Sequence, residues 1–196
     1  MKVKTMGVID FDKPNILILT GDSGSGKSTI ADTLTNHPEL GHLAVTVSFG
    51  HYLRVIVDQQ LRQSGNPPMW DLSRWCRARR DKWERETGYK DLMIRTGDQI
   101  IARHPLAFIT PVIDDILEMP DCYQLVVVPD CRSPMELAAL QHVGNVWGVR
   151  LLRDGAAVKK YDDELKYLNL PLIDNNGTPE DTIAKISVVL RSMPNT

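Results

Sequence analysis

The chain has 196 residues, 42% of them hydrophobic and 24% charged, and a formal net charge of −2. This length and composition are typical of one globular domain with its own core, and the near-neutral charge excludes overall attraction to nucleic acid or anionic membranes. No apolar run is long enough for a membrane span or a signal-peptide core, so we expect a cytoplasmic protein without a membrane partner. Three widely spaced cysteines indicate reduced thiols rather than a disulfide framework.

The hydrophobic pattern predicts strands that alternate with helices along the chain. Short apolar or β-branched runs predict strands over residues 16–19, 42–49, 123–130, 145–152 and 170–173. Helical patterns cover residues 28–35, 52–61, 91–103 and 109–117, and two further helices begin near residues 134 and 179. This alternation predicts an α/β fold with a mainly parallel sheet of about five strands, covered on both faces.

Local signals mark the boundaries of the helix after the third strand. Ser133, Pro134 and Glu136 have the spacing of a capping box with proline at the first helical position. Gly144 is predicted to end this helix in the left-handed conformation. The long helical stretch between the second and third strands is interpreted as an inserted subdomain.

A phosphate-binding motif follows the first predicted strand. The sequence GDSGSGKS at residues 21–28 matches G-x-x-x-x-G-K-[ST], with a strand before it and a helix after it. Glycines allow successive backbone N–H groups to face phosphate oxygens, and the helix N-terminus adds its positive dipole end. Lys27 is expected to reach the β- and γ-phosphates, and the Ser28 hydroxyl to bind Mg²⁺. The motif therefore predicts a nucleotide site.

Such a loop needs a second ligand for Mg²⁺, usually a carboxylate at the end of a neighbouring strand. The sequence LVVVPD places Asp130 directly after a buried strand, where it meets this requirement. The alternative is an aspartate that only forms a turn after proline. Arg132 follows two residues later and is expected to face the same cleft.

The remaining motifs favour a small phosphotransferase over other P-loop proteins. The segment IDNNGT at residues 173–178 lacks the lysine and second carboxylate that a GTPase uses to recognise guanine. A hydroxyl acceptor benefits from a carboxylate base, but residues 47–54, VSFGHYLR, contain none after the second strand. Asp22 and Asp58 remain alternative bases. A phosphate acceptor needs cations instead, and the candidates are Arg54, Arg95, Arg132, Arg150 and Arg153.

The segment at residues 74–86, RWCRARRDKWERE, combines five arginines with two tryptophans. One interpretation is a nucleic-acid surface with bases stacked on the tryptophans. The favoured alternative is an amphipathic helix, because Asp81, Glu84 and Glu86 are interleaved with the arginines and Trp75 and Trp83 can pack inward.

Several of these motifs together resemble the bacteriophage deoxynucleoside monophosphate kinase family. The most specific pair is VPDCR at residues 128–132 and IDNNGT at residues 173–178, and LMIRTGDQIIAR at residues 92–103 is similar to a further region of that family. With the phosphate-binding motif, the resemblance covers about half of the chain in patches. Phosphomevalonate kinase and dephospho-coenzyme A kinase share parts of this layout and stay open as alternatives.

The resemblance implies a P-loop kinase with a three-layer α/β/α fold that transfers the γ-phosphate of ATP to a dNMP, in the host cytoplasm if the protein is viral. It implies one domain over residues 1–196, with a helical acceptor-binding insertion at 50–104 and a lid at 153–169. Nucleic acid is not an expected partner, and the oligomeric state stays open, with a homodimer among the alternatives.

The resemblance also implies roles for individual residues. ATP would contact Gly21, Asp22, Ser23, Gly24, Ser25, Gly26, Lys27, Ser28 and Thr29 through its phosphates, and Asn175, Asn176 and Gly177 near the adenine. Mg²⁺ would bind Ser28 and Asp130. The dNMP would contact Arg54, Arg95, Asp98, Arg132 and Arg150. Catalysis is assigned to Lys27, Asp130, Arg132 and Arg153. The sequence departs from the family at Thr96-Gly97-Asp98, which lacks the leucine before the glycine and has Arg95 nearby instead. Lys159 and Lys160 replace lid arginines.

Overall fold

A computed structural model describes residues 13–38, 41–63, 86–120, 122–156 and 164–191. These residues form strands β1 (Asn15–Thr20), β2 (Ala44–Thr46), β3 (Leu125–Val128), β4 (Asn145–Leu152) and β5 (Leu172–Asp174). The strands make one sheet in the order β2-β3-β1-β4-β5, and each neighbouring pair is parallel. The predicted α/β fold with a five-stranded parallel sheet is confirmed.

The helices of the described residues agree with the hydrophobic pattern to within a few positions. They are α1 (Lys27–Thr35), α2 (Phe49–Gln63), α3 (Tyr89–Arg103), α4 (Ile109–Leu117), α5 (Pro134–Val143) and α6 (Pro179–Arg191). Short 3₁₀ helices cover Gly41–Leu43 and Glu164–Tyr167. None of these helices has the combined length and apolar character needed to cross a bilayer.

The predicted second strand is only partly correct. Residues 42–49 were expected to be one strand, but only Ala44–Thr46 pair with β3, and Phe49 already begins α2. This strand lies at the edge of the sheet, where a single neighbour limits how far its pairing extends. A β-branched composition predicts an extended chain, whereas a strand also needs a partner along its whole length.

The chain divides into two compact units. The sheet unit contains residues 1–48 and 112–196, and the helical unit contains residues 49–111. In the sheet unit, side chains alternate between the two faces of each strand. The core on one face, shared with α1 and α6, contains Leu17, Leu19, Ile30, Ala31, Leu34, Val127, Val149, Leu151, Ile173, Ile183 and Ile186. Ile16, Ile18, Val126 and Val128 on the opposite face are buried as well.

The helical unit is held together by the packing of α2 against α3. Val57, Tyr89 and Met93 form its buried core. The Tyr89 hydroxyl donates a hydrogen bond to Asp58 Oδ1 at 2.7 Å, so the Asp58 carboxylate has a partner within its own unit. Gly97 permits the close approach of the helices, because a Cβ there would lie 3.2 Å from Leu53 Cδ2.

The predicted left-handed conformation of Gly144 is wrong. Its φ of −148° and ψ of 169° are extended, because the chain leaves α5 and enters β4 without a reversal. Glycine is required at this position for space. A Cβ there would lie 2.4 Å from Ile16 Cδ1 and 2.8 Å from the Pro14 carbonyl oxygen.

Gly144→Ala is therefore expected to lower the free energy of unfolding by about 2–3 kcal/mol through overpacking. Urea unfolding followed by circular dichroism measures the change. Gly155→Ala is the matched control: Gly155 has a φ of 75° but nothing near its Cβ position, so only backbone strain of about 1 kcal/mol is added there. If Gly144→Ala were no more destabilising than the control, the steric explanation would be wrong.

Two groups of sequence predictions lie outside the described residues. The charged segment at residues 74–86 falls there except for Glu86, and so do residues 157–163 of the predicted lid. Of the three cysteines, Cys122 is exposed and Cys131 is buried, and neither forms a disulfide bond within the described part of the chain.

Candidate active site

The loop from residue 21 to residue 28, called here the phosphate loop, joins β1 to α1 at the carboxyl edge of the sheet. Gly21 and Gly26 have φ values of 132° and 91°, which glycine adopts readily and other residues rarely do. Space excludes a side chain as well, since a Cβ at Gly26 would lie 2.3 Å from Asn175 Nδ2. Gly26 immediately precedes α1, so the positive end of that helix opens onto the loop. Ser25 is fully buried.

Lys27 folds back over the phosphate loop. Its Nζ donates hydrogen bonds to the carbonyl oxygens of Gly21 at 2.5 Å and Asp22 at 2.9 Å, and it lies 3.4 Å from Ser25 Oγ. The ammonium is therefore held within the loop, where its charge would complement that of a phosphate group.

Asp130 lies just beyond β3 and is oriented by Ser48, which lies just beyond β2. The Ser48 hydroxyl donates a hydrogen bond to Asp130 Oδ2 at 2.7 Å. Because β2 and β3 are parallel neighbours, both side chains lie at the carboxyl ends of the strands. Ser48 thus fixes one carboxylate oxygen and sets the direction of the other.

The oxygen atoms at the carboxyl ends of these strands are of the kind that binds a magnesium ion. Carboxylate and hydroxyl oxygens, such as those of Asp130 and Ser28, are the ligands that Mg²⁺ prefers. Within the described residues, no three His, Cys, Asp or Glu side chains come together as a metal site. A magnesium ion here would therefore take most of its ligands from phosphate oxygens and water, as is usual in phosphoryl-transfer sites.

Arg150 forms an ion pair with the phosphate loop. Its Nη2 lies 3.1 Å from Asp22 Oδ1, and the two side chains are 16% and 30% exposed. Arg150 is aligned with Thr20 of β1, which places it beside the start of the loop. The pair offsets a negative charge that would otherwise repel phosphate. The direct contact of Arg150 with the acceptor stays a prediction.

Arg153 lies one residue beyond β4 and is exposed. Its Nη1 would be 3.8 Å from a Cβ placed on Gly26, so the guanidinium lies beside the end of the phosphate loop. This places a second cation near the N-terminus of α1. Its catalytic role, and the lid that it was predicted to begin, stay predictions.

The segment between β3 and α5 is fixed by Glu136. Its Oε2 accepts hydrogen bonds from the backbone N–H groups of Arg132 at 2.6 Å and Ser133 at 2.8 Å, and Ser133 Oγ accepts from the Glu136 N–H. The predicted capping box is confirmed, with one additional bond to Arg132. Desolvation by burial raises the pKa of Glu136, the nearby Asp130 charge raises it further, and the hydrogen bonds oppose this change.

Glu136→Gln is expected to remove a pH dependence of stability. The raised pKa means that the folded state binds this proton more readily than the unfolded state at pH values from about 4.5 up to the folded pKa. The wild-type free energy of unfolding therefore loses this contribution as pH rises through that window. Urea unfolding at a series of pH values should show that the variant gains stability relative to wild type as the pH rises. A difference that does not vary with pH would contradict this assignment.

The turn between β5 and α6 contains the three residues that were predicted to lie against the adenine. Asn175 is buried, and its Nδ2 donates a hydrogen bond to the Ser25 carbonyl oxygen at 2.7 Å. Asn176 is exposed, and its Oδ1 accepts from the Asp154 N–H at 2.9 Å. Gly177 is exposed as well. The turn is therefore tied both to the phosphate loop and to the segment after β4, and adenine contact stays a prediction.

The other predicted substrate residues belong to the helical unit. Arg54 lies on α2 and is partly buried, whereas Arg95 and Asp98 lie on the exposed surface of α3. The Arg95 Nε donates a hydrogen bond to the Asp91 carbonyl oxygen of its own helix at 3.3 Å. Contact of these three side chains with an acceptor stays a prediction.

Sequence reasoning missed two residues that orient the site. The Ser48 hydroxyl donates a hydrogen bond to Asp130 Oδ2, and the Thr182 hydroxyl donates one to Asn175 Oδ1, each at 2.7 Å. The signal for Ser48 was its position after the second strand, where an acid was sought and a hydroxyl was overlooked. Thr182 offered no signal, because it lies inside a helix with an ordinary sequence.

The sheet order, with a phosphate loop between β1 and α1, defines an α/β fold of the P-loop type. No protein-family model matches the sequence, and neither does any curated protein.

Three solved structures with similar folds are kinases. An APS kinase, CysC, of Mycobacterium tuberculosis has a TM-score of 0.48 and 16% identity, covering 92% of this chain and 99% of its own. A gluconokinase of Sinorhizobium meliloti has a TM-score of 0.46 and 11% identity, covering 93% and 98%. A shikimate kinase of Acinetobacter baumannii, in complex with shikimate, has a TM-score of 0.40 and 14% identity, covering 94% and 97%.

Proposed function

We propose that this protein is a nucleotide kinase that transfers the γ-phosphate of ATP to a deoxynucleoside 5′-monophosphate and forms a dNDP. The observation that carries the proposal is the phosphate loop with Lys27 Nζ held inside it. Phosphoryl transfer needs little covalent chemistry from the protein, and it depends on cations and backbone dipoles placed around the phosphates. The phosphate loop supplies a cation, Lys27, and backbone N–H dipoles.

A phosphate acceptor suits this site better than an alcohol. Ser48 occupies the position after β2 where a carboxylate could serve as base. Its hydroxyl donates a hydrogen bond to Asp130. Asp22, one alternative base, is paired with Arg150. Asp58, the other, accepts a hydrogen bond from Tyr89. A phosphate acceptor is already ionised at neutral pH and needs no base, so these pairings do not hinder its reaction.

The choice of a dNMP comes from the resemblance to the bacteriophage kinase family. In the reaction that we propose, the phosphate loop and Lys27 bind the donor phosphates, and the exposed guanidinium of Arg153 stabilises charge that develops on the transferred group. A magnesium ion bound here would neutralise part of the charge on the donor phosphates. Asp130 and Ser28 would hold that ion, while Ser48 keeps the Asp130 carboxylate in place.

The test is a panel of acceptors incubated with ATP and Mg²⁺, with ADP and phosphorylated products separated by chromatography. We expect ADP together with at least one dNDP, and no product without an acceptor. Turnover of only mevalonate 5-phosphate or dephospho-coenzyme A would overturn the dNMP assignment and leave the phosphate-acceptor assignment intact. Failure with every monophosphate, together with tight DNA binding at physiological salt, would overturn the kinase proposal itself.

A further inference from the structure

Asn175 connects two parts of the chain that are distant in sequence. Its Nδ2 donates to the Ser25 carbonyl oxygen, which is 150 residues away, and its Oδ1 accepts from Thr182 Oγ1, each at 2.7 Å. Asn175 and Ser25 are 5% and 0% exposed, and Thr182 is 0% exposed. Both ends of the amide are therefore used in contacts that are closed to water.

The Ser25 carbonyl oxygen determines which way the Asn175 amide faces. A carbonyl oxygen can only accept, so the NH₂ group faces Ser25, and Oδ1 accepts from the Thr182 hydroxyl. The Asn175 backbone is fixed too, because its N–H donates to the Leu152 carbonyl oxygen at 2.8 Å. Asn175 is thus held by hydrogen bonds to β4 and α6 as well as to the phosphate loop.

The bond to Ser25 fixes a peptide plane within the phosphate loop. In a trans peptide the C=O of one residue and the N–H of the next point in opposite directions. Because the Ser25 C=O points toward Asn175, the Gly26 N–H points away from it. The amide also lies against Gly26, where a Cβ would be 2.3 Å from Nδ2. Asn175 therefore controls the direction of a backbone N–H in a loop whose N–H groups bind phosphate.

We propose that Asn175 is a positioning residue for donor-phosphate binding, which acts through the Ser25–Gly26 peptide rather than by contact with the adenine. The inference rests on the proposed function, because it assumes that the loop binds the phosphates of ATP. The two roles differ in their consequences. A residue that positions the loop affects the binding of every ligand with a phosphate chain, whereas an adenine contact affects the binding of only those ligands that carry the base.

Inorganic tripolyphosphate separates these roles, since it has the phosphate chain without the base. The measurements are its inhibition constant with Mg²⁺, the KM for ATP, the KM for GTP, and the melting temperature. Asn175→Asp keeps the shape and removes the donor, and we expect it to weaken tripolyphosphate and ATP binding by about tenfold each. The preference for ATP over GTP should not change.

Three further variants control the experiment. Asn36→Asp removes a similar amide donor, which binds the Asp32 carbonyl oxygen at 2.6 Å near the exposed end of α1, and should bind tripolyphosphate as wild type does. Thr182→Val removes the hydrogen bond at the Oδ1 end of the amide and should give a smaller defect of the same kind. At low pH a protonated aspartic acid can donate to Ser25, so the Asn175→Asp defect relative to wild type should shrink, whereas that of Asn175→Ala should not.

The outcomes also separate this inference from the proposed function. If the wild type bound neither ATP nor tripolyphosphate, both would fail. If the wild type bound both ligands and Asn175→Asp bound tripolyphosphate equally well, only the inference would fail. A loss of ATP preference with unchanged tripolyphosphate binding would assign Asn175 to the adenine and overturn the positioning role.

Discussion

Lys27→Ala is expected to slow phosphoryl transfer by about 100- to 1000-fold at saturating ATP. The Lys27 ammonium is already held on the carbonyl oxygens of the phosphate loop, so its charge is positioned before the reaction begins. Groups positioned in advance stabilise the charge of a transition state without the cost of reorganisation. Because this charge is greatest during transfer, the loss should appear in kcat more than in KM.

The matched control for this variant is Lys13→Ala. Lys13 also donates from its Nζ to a backbone carbonyl oxygen, that of His142 at 3.3 Å. Lys13 lies before β1, at the amino ends of the strands. Steady-state rates of ADP formation and melting temperatures are measured for both variants. We expect Lys13→Ala to keep the wild-type rate. If Lys27→Ala transferred phosphate as fast as the control, the phosphate loop would not be the site of the reaction.

The elements that the sequence predicted well are those whose signal is local. The apolar run before Gly21 and the run before Asp130 each form a strand that is buried on both faces, because both lie inside a parallel sheet. The capping box at Ser133 and Glu136 depends on residues three positions apart, so its geometry follows from the sequence alone. The phosphate loop combines both kinds of signal.

The contacts that orient the site could not be predicted in the same way. Ser48 and Asp130 are 82 residues apart, and they meet only because β2 and β3 are neighbours in the sheet. Hydrophobic periodicity locates strands but does not give their order. The same limit applies to the hydrogen bond from the Asn175 amide to the Ser25 carbonyl oxygen, because the resemblance implied only a place near the adenine for Asn175.

Gly144 shows a second limit of reasoning from patterns. Glycine after a helix most often indicates a left-handed residue, and that association led to the wrong conformation here. The actual requirement is the space taken by Ile16 and the Pro14 carbonyl oxygen, which precede it by more than a hundred positions in the chain. A glycine that is needed for space and one that is needed for its backbone angles look identical in a sequence.

Asp130→Asn is expected to lower the rate by about 100-fold at low Mg²⁺ and to recover part of this loss as Mg²⁺ is raised. The asparagine keeps the shape of the side chain and can still accept the Ser48 hydrogen bond through its carbonyl oxygen. The variant therefore removes the negative charge with little change in geometry. Titration of Mg²⁺ at fixed ATP, with the rate as readout, measures the effect.

Two companion variants decide what the Asp130 result means. Asp114→Asn removes an exposed carboxylate from α4 and should leave the Mg²⁺ titration unchanged. Ser48→Ala keeps the Asp130 charge but removes the Ser48 hydrogen bond to its Oδ2, so it should shift the titration in the same direction by a smaller factor. If Asp130→Asn instead lowered the rate equally at every Mg²⁺ concentration, Asp130 would act on the substrate directly and the metal site would lie elsewhere.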